Sequence, residues 1–140
     1  MSKRRNAPRK ILSIEDIDKR GVIGPDYPKA GTPDQRQIYW CKKWLELHVE
    51  PYPNKDSWNL RISSNNYKHA VERWLGDKLR AEEGAKEGNY ITNGAFIVAA
   101  LEMGFKARPA CGYPDAYFNF RPNVRKSDRA AWRNAGFRQW

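Results

Sequence analysis

Residues 89–120 read NYITNGAFIVAALEMGFKARPACGYPDAYFNF, and the rest of the chain is arranged around them. Thr92 and Asn93 carry side chains that cap the free amides of a helix start. The run Ala95, Phe96, Ile97, Val98, Ala99, Ala100, Leu101 and Met103 is apolar on nearly every side. That composition predicts a helix buried all round rather than on one stripe. Gly104 supplies a left-handed stop. Phe105 to Arg108, a loop containing Pro, Gly and Asp, and Ala116 to Phe120 then predict a β-hairpin.

Upstream, Thr32-Pro33-Asp34-Gln35 combines a capping-box pair, Thr32 and Gln35, with proline at the first helical position. The predicted helix runs to about His48, with Ile38, Cys41, Trp44, Leu45 and His48 as its inner stripe and Arg36, Lys42 and Lys43 outside it. His48 on that stripe reads as a hydrogen-bonded packing residue. Pro51 and Pro53 impose an extended segment, and Trp58, Leu60 and Ile62 alternating with Asn59 and Arg61 predict a short half-buried strand. Ser63 to Asn66 offer caps for a second helix packed through Tyr67, Ala70, Val71, Trp74, Leu75 and Leu79, with Lys68, His69, Glu72 and Arg73 on other faces. Glu82 to Gly88 reads as a mobile connection. Near the N-terminus, Ser13 caps a helical turn, IEDIDKR, that Gly21 ends, and a Gly/Pro-rich loop follows.

These elements define an α+β fold: one small domain of two amphipathic helices plus a buried helix followed by a β-hairpin, winged-helix-like. The domain is expected over residues 13–120. A basic flexible arm precedes it at 1–12, and a basic tail follows at 121–140 with a short helix between Ser127 and Gly136. A chain of 140 residues accommodates one core.

The net charge is +10 with a pI near 9.8, which favours polyanionic partners. No apolar run reaches the roughly 20 residues that span a bilayer, and the basic N-terminus is not followed by a signal-type apolar segment. An intracellular, cytoplasmic protein without a membrane partner is therefore expected. Cys41 and Cys111 stand far apart with no Cys/His cluster, which fits two reduced thiols. There is no P-loop, GxSxG, GxGxxG, CxxC or HExxH. His69 and Glu72 are helix neighbours able to form a base with an orienting carboxylate, a pair that charged helices also produce by chance. The expectation is a non-enzymatic protein with no cofactor and no metal.

Nucleic acid, DNA or RNA, is the expected partner. The candidate contacts are Arg4, Arg5, Arg9 and Lys10 in the arm, Lys68 and Arg73 on the second helix, and Lys106 and Arg108 on the hairpin. Arg121, Arg125, Lys126, Arg129 and Arg133 supply the remainder from the tail. Lys106 and Arg108 alternate with Phe105 and Ala107, which turns both charges away from the core, where a wing meets a phosphate backbone. Trp132, Phe137 and Trp140 among the tail arginines either stack on bases or dock the tail onto the domain. The buried helix offers only Glu102 to a groove, so contact is expected mainly with phosphates and with little sequence specificity.

From Tyr90-Ile91-Thr92-Asn93-Gly94-Ala95-Phe96-Ile97 through Ala116-Tyr117-Phe118-Asn119, and again at Ser63 to Glu72 (SSNNYKHAVE), the sequence resembles short accessory proteins of phages and plasmids. The resemblance covers Ser63 to Asn119, under half the chain, and brings no catalytic residue with it. It implies a mobile-element origin. It also implies an alternative function: inhibition of a host defence nuclease, of anti-CRISPR or anti-restriction type, by binding a host protein or ribonucleoprotein complex.

Overall fold

A computed structural model describes residues 10–24, 29–81 (backbone alone at 80 and 81), 88–110 and 114–123. Arm residues 1–9, the connection at 82–87, Cys111 and the tail from residue 124 with its expected short helix lie outside the described residues. A 3-10 turn at Ile14–Asp16 leads into β1 (Ile17–Asp18) and β2 (Gly21–Val22). Then come α1 (Gln35–His48), β3 (Val49–Pro51), α2 (Ser64–Ala81), α3 (Asn93–Glu102), β4 (Ala107–Pro109), β5 (Ala116–Phe118) and β6 (Phe120–Pro122).

Helix α3 is the hub. Residues 93–100 are all buried, and α1, α2, β1, β2 and β4 pack around them. Because the helix is apolar on every face, each neighbour brings an apolar stripe to it. Ile38, Cys41, Trp44 and Leu45 come from α1, and Tyr67, Ala70, Val71, Leu75 and Leu79 from α2. The Phe96 ring stacks on Tyr67 at 5.3 Å and meets Trp44 and Phe118 edge-on at 6.0 and 5.5 Å. Both ends of α3 are closed as the sequence predicts. Thr92 Oγ1 accepts from the Ala95 amide. At the other end Gly104 takes φ +95°, its amide donates to Leu101 O and that of Phe105 to Ala100 O, a Schellman ending.

The strands form three antiparallel pairs, β1–β2, β3–β6 and β4–β5. The fold is α+β and winged-helix-like as expected in that the buried helix is followed by a β-hairpin. The strand between α1 and α2 pairs with β6, the one that leaves the hairpin, so the two ends of this unit close on each other.

Several boundaries differ from expectation, each for a physical reason. Helix α1 starts at Gln35, where Asp34 rather than Thr32 is the cap and accepts from the Gln37 amide. The Gln37 side chain accepts from the Thr92 amide and ties α1 to the start of α3. Residues 58–62 form no strand. Only Asn59 bridges Phe118, and it is buried because its Oδ1 accepts from the amides of Arg61 and Ile62, while Leu60 is exposed. The local Asx turn overrides the alternation. In IEDIDKR only Ile14–Asp16 is helical, since Ile17 and Asp18 pair with Val22 and Gly21. Leu12, expected in the arm, is buried and donates its amide to Ala107 O. Arg121, expected in the tail, sits in β6, and buried Asn123 donates its amide to His48 O.

The β1–β2 turn seats on the N-terminus of α3. Gly94 donates its amide to Lys19 O, and a Cβ on Gly94 would lie 1.8 Å from Asp18 O. Only glycine allows that approach. Asn93 Nδ2 donates toward Arg20 O (2.9 Å), Pro114 O (3.2 Å) and Asp115 Oδ1 (3.3 Å), latching turn, helix and hairpin loop together.

Candidate nucleic-acid interface

From residue 116 to 122 burial alternates strictly. Ala116, Phe118, Phe120 and Pro122 face the core, leaving Tyr117, Asn119 and Arg121 on the outward face. The period of two in an extended chain dictates this. Phe118 meets Phe96 at 5.5 Å and Tyr67 at 6.0 Å, and Phe120 meets Tyr67 at 5.3 Å, which anchors this strand to the core. On β4, Arg108 lies opposite Tyr117, between buried Ala107 and Pro109. On β3, Glu50 lies opposite Arg121.

Two guanidinium groups on this face lie over aromatic rings. Arg108 sits 5.2 Å from the Trp58 ring centroid, and its buried Nε has no hydrogen-bond partner. Arg121 sits 5.3 Å from the Tyr52 centroid and donates through Nε to Glu50 Oε2 at 2.8 Å. Burial raises the Tyr52 phenol above its ordinary pKa, while the positive fields of Arg121 and Arg61 act against that rise. Arg61 is therefore a second cation near the Tyr52 ring. A guanidinium packed over an aromatic face has given up part of its rotamer freedom in advance, and its remaining N–H groups suit phosphate oxygens.

Six of the residues predicted for binding lie among those described. Lys106 is exposed and Arg108 half-buried on the face away from the core, as the alternation requires. Arg121 joins them through β6. Lys10 is an exposed cation paired with Asp16 at 3.0 Å, and Leu12 brings this segment alongside β4. Lys68 and Arg73 belong to a different cluster, on α2. The Lys68 side chain is only 13% exposed, 3.5 Å from Glu72 and 5.5 Å from the Tyr90 ring centroid, so it supports the cluster from behind. Arg73 is exposed and lines an open depression with His69, Glu72 and Asn89. Arg4, Arg5, Arg9, Arg125, Lys126, Arg129 and Arg133 lie outside the described residues.

The His69–Glu72 neighbour relation is realised, with Nδ1 2.9 Å from Glu72 Oε1. Glu72 Oε2 accepts from the Ile91 amide at 3.0 Å, so the carboxylate is fixed at both oxygens. His48 is a packing residue. It stacks on Trp44 at 5.0 Å with Nδ1 3.0 Å from Trp44 O, and burial draws its pKa below the ordinary histidine value against the effect of that bond. Cys41 is a free, buried thiol whose pKa is pushed up by burial and, to a smaller degree, by the charge of Glu72. Among the described residues no group of three or more His, Cys, Asp or Glu side chains could hold a metal ion. No helix among them is long and apolar enough to cross a membrane.

A second cavity, of about 440 Å³, lies between the 3-10 turn, the start of α1 and α3. Its polar wall holds Glu15, Asp18 and Glu102 against a single Lys29, a balance that repels polyanions. The strand face has the opposite balance. Sequence reasoning missed Tyr52, Trp58, Arg61 and Tyr117 there. Alternation predicts a strand for Arg61 and Trp58, whereas the Asx turn at Asn59 and the long-range pairing of β3 with β6 bring them to the arginines.

No family model, no curated protein and no solved structure matches the chain.

Proposed function

We propose that this protein binds nucleic acid without acting on it chemically, through contacts mainly to phosphates. The observation that carries the reading is the pair of ring-supported arginines, Arg108 on Trp58 and Arg121 on Tyr52, on the outward face of one strand system. Fixed guanidinium forks contact phosphates at low ordering cost, and Tyr117 beside them offers a stacking surface for an exposed base. Segments 1–9 and 124–140 together hold nine Lys and Arg against one acid, Asp128, and add to the charge available for phosphates. A phage or plasmid origin, and action in a host cytoplasm, belong to the same proposal and rest on the resemblance over residues 63–119.

The test is fluorescence anisotropy with labelled single-stranded and duplex DNA and RNA at several salt concentrations. Binding that weakens linearly in log affinity against log salt is expected, with a slope that counts phosphates. Absent binding near physiological salt would overturn the reading. Retention of a host protein or ribonucleoprotein complex by nuclease-treated protein would then support the alternative of a defence inhibitor.

A further inference from the structure

The geometry points to a discrete phosphoryl-binding site on α2, formed by His69, Arg73 and Asn89 and separate from the strand face. Three observations carry it. The three side chains line one open depression, with Glu72 as its fourth wall. Glu72, 18% exposed, is occupied from behind by the Ile91 amide and by Lys68 and from the side by His69. Its charge is thereby met within the chain rather than presented to a ligand. Because a carboxylate only accepts, the His69 nitrogen facing it, Nδ1, carries a hydrogen, and Nε2 is the nitrogen left for a ligand.

Asn89 is anchored in turn by donating from Nδ2 to Glu72 O at 2.7 Å. Arg73, one residue after Glu72 on an exposed face, supplies the depression with a guanidinium fork. A tetrahedral phosphoryl group fits this set. The fork takes two of its oxygens, and Nε2 either donates to an anionic oxygen or accepts from a P–OH group. The same chemistry is found in free phosphate, in a terminal phosphomonoester and in a backbone phosphodiester. The inference extends the nucleic-acid reading by giving it a second, local phosphate contact, but its test requires no nucleic acid.

Ring signals of the chain's two histidines, His48 and His69, report the site directly, with half-buried His48 as the internal control. On titration with inorganic phosphate, the His69 ring resonances are expected to shift saturably while those of His48 stay in place. Arg73→Ala is expected to weaken that response about tenfold or more, and Arg73→Lys by less, because a point charge replaces a fork. Titrating a trinucleotide with and without a 5′-phosphate then assigns the source: a response to the phosphorylated form alone marks a terminal phosphate, and equal responses mark the backbone. No saturable His69 shift at tens of millimolar phosphate, or an unchanged response in Arg73→Ala, overturns the inference. Failure of oligonucleotide binding with a retained phosphate response would instead count against the strand-face proposal alone.

Discussion

The N-terminus of α3 and the outward face of the 116–122 strand both arise where short, distant segments meet, yet they treat polar groups in opposite ways. At the helix start, buried Asp18 accepts from the amides of Ala30 and Arg20, and Asn93 Nδ2 serves three oxygens. On the strand face, Arg108 and Arg121 rest on aromatic rings, while each region keeps one buried atom without a hydrogen-bond partner, Asn93 Oδ1 at the helix start and Arg108 Nε on the face. Polar groups consumed inside the chain hold a fold together, because leaving them unmet in a buried setting costs more than the bonds themselves contribute. Half-buried cations resting on aromatic rings remain accessible to a partner outside it. The contrast separates a structural polar cluster from a recognition surface, and substitutions in the two regions should behave differently.

The largest effect is expected at Gly94→Ala. Its Cβ would collide with Asp18 O, and the turn would have to move off the helix, losing the Lys19–Gly94 bond. A cost of about 3 kcal/mol, or a fall of roughly 10 °C in Tm, is expected in urea or thermal unfolding. An unchanged Tm would show that the turn is not seated as described.

Asp18→Asn comes next, at about 2 kcal/mol near neutral pH, because an amide NH2 then faces backbone donors. Burial raises the Asp18 pKa, but the Ala30 and Arg20 amides and the Arg20 charge outweigh it, and the folded value lies below the ordinary one. For a carboxyl depressed in this way, the stabilisation is present above the unfolded pKa and is lost as pH falls through the folded one. The gap between wild type and variant, followed by urea unfolding, should therefore close below about pH 4.

On the strand face the expectation reverses. Arg108→Ala with Arg121→Ala should change stability by less than about 1 kcal/mol, yet lower oligonucleotide affinity about tenfold and reduce the salt slope by about one to two. Tight binding with an unaltered slope would remove these arginines from the interface.

The smallest effect is expected at Asp115→Asn. Burial lifts the Asp115 pKa, the Asn93 bond opposing it only in part. A carboxyl raised in the fold stabilises below its unfolded pKa and ceases to do so as pH rises through the folded value. The variant should thus gain under about 1 kcal/mol at pH 7, limited by partial solvation, and gain nothing in acid. Equal Tm differences at pH 3 and pH 7 would contradict this.

Local patterns made much of the architecture legible. The stripes Ile38, Cys41, Trp44, Leu45 and Tyr67, Ala70, Val71, Leu75 were readable because helical spacing and burial follow one period. Thr92 and Gly104 were readable because caps are made by residues close in sequence. Asn59 and Asp34 were not. Each sits where two local signals compete, and the winning side chain was decided by which backbone amides the surrounding fold left free. For the candidate interface, Lys106 and Arg108 were legible by alternation, whereas Trp58, Tyr52 and Arg61 required pairings across some 60 residues.

Three helices, the hairpin and a strongly basic chain follow from local sequence, since each depends on periodicity, capping or composition within a short window. That Arg121 belongs to a strand and that Lys68 is shielded beside Glu72 follows from long-range packing. That packing alone placed the arginines of β4 and β6 over rings from the segment between α1 and α2. Those facts depend on which distant segments lie side by side. Residue spacing encodes which face a side chain occupies, but a partner from elsewhere in the chain is chosen by packing around α3.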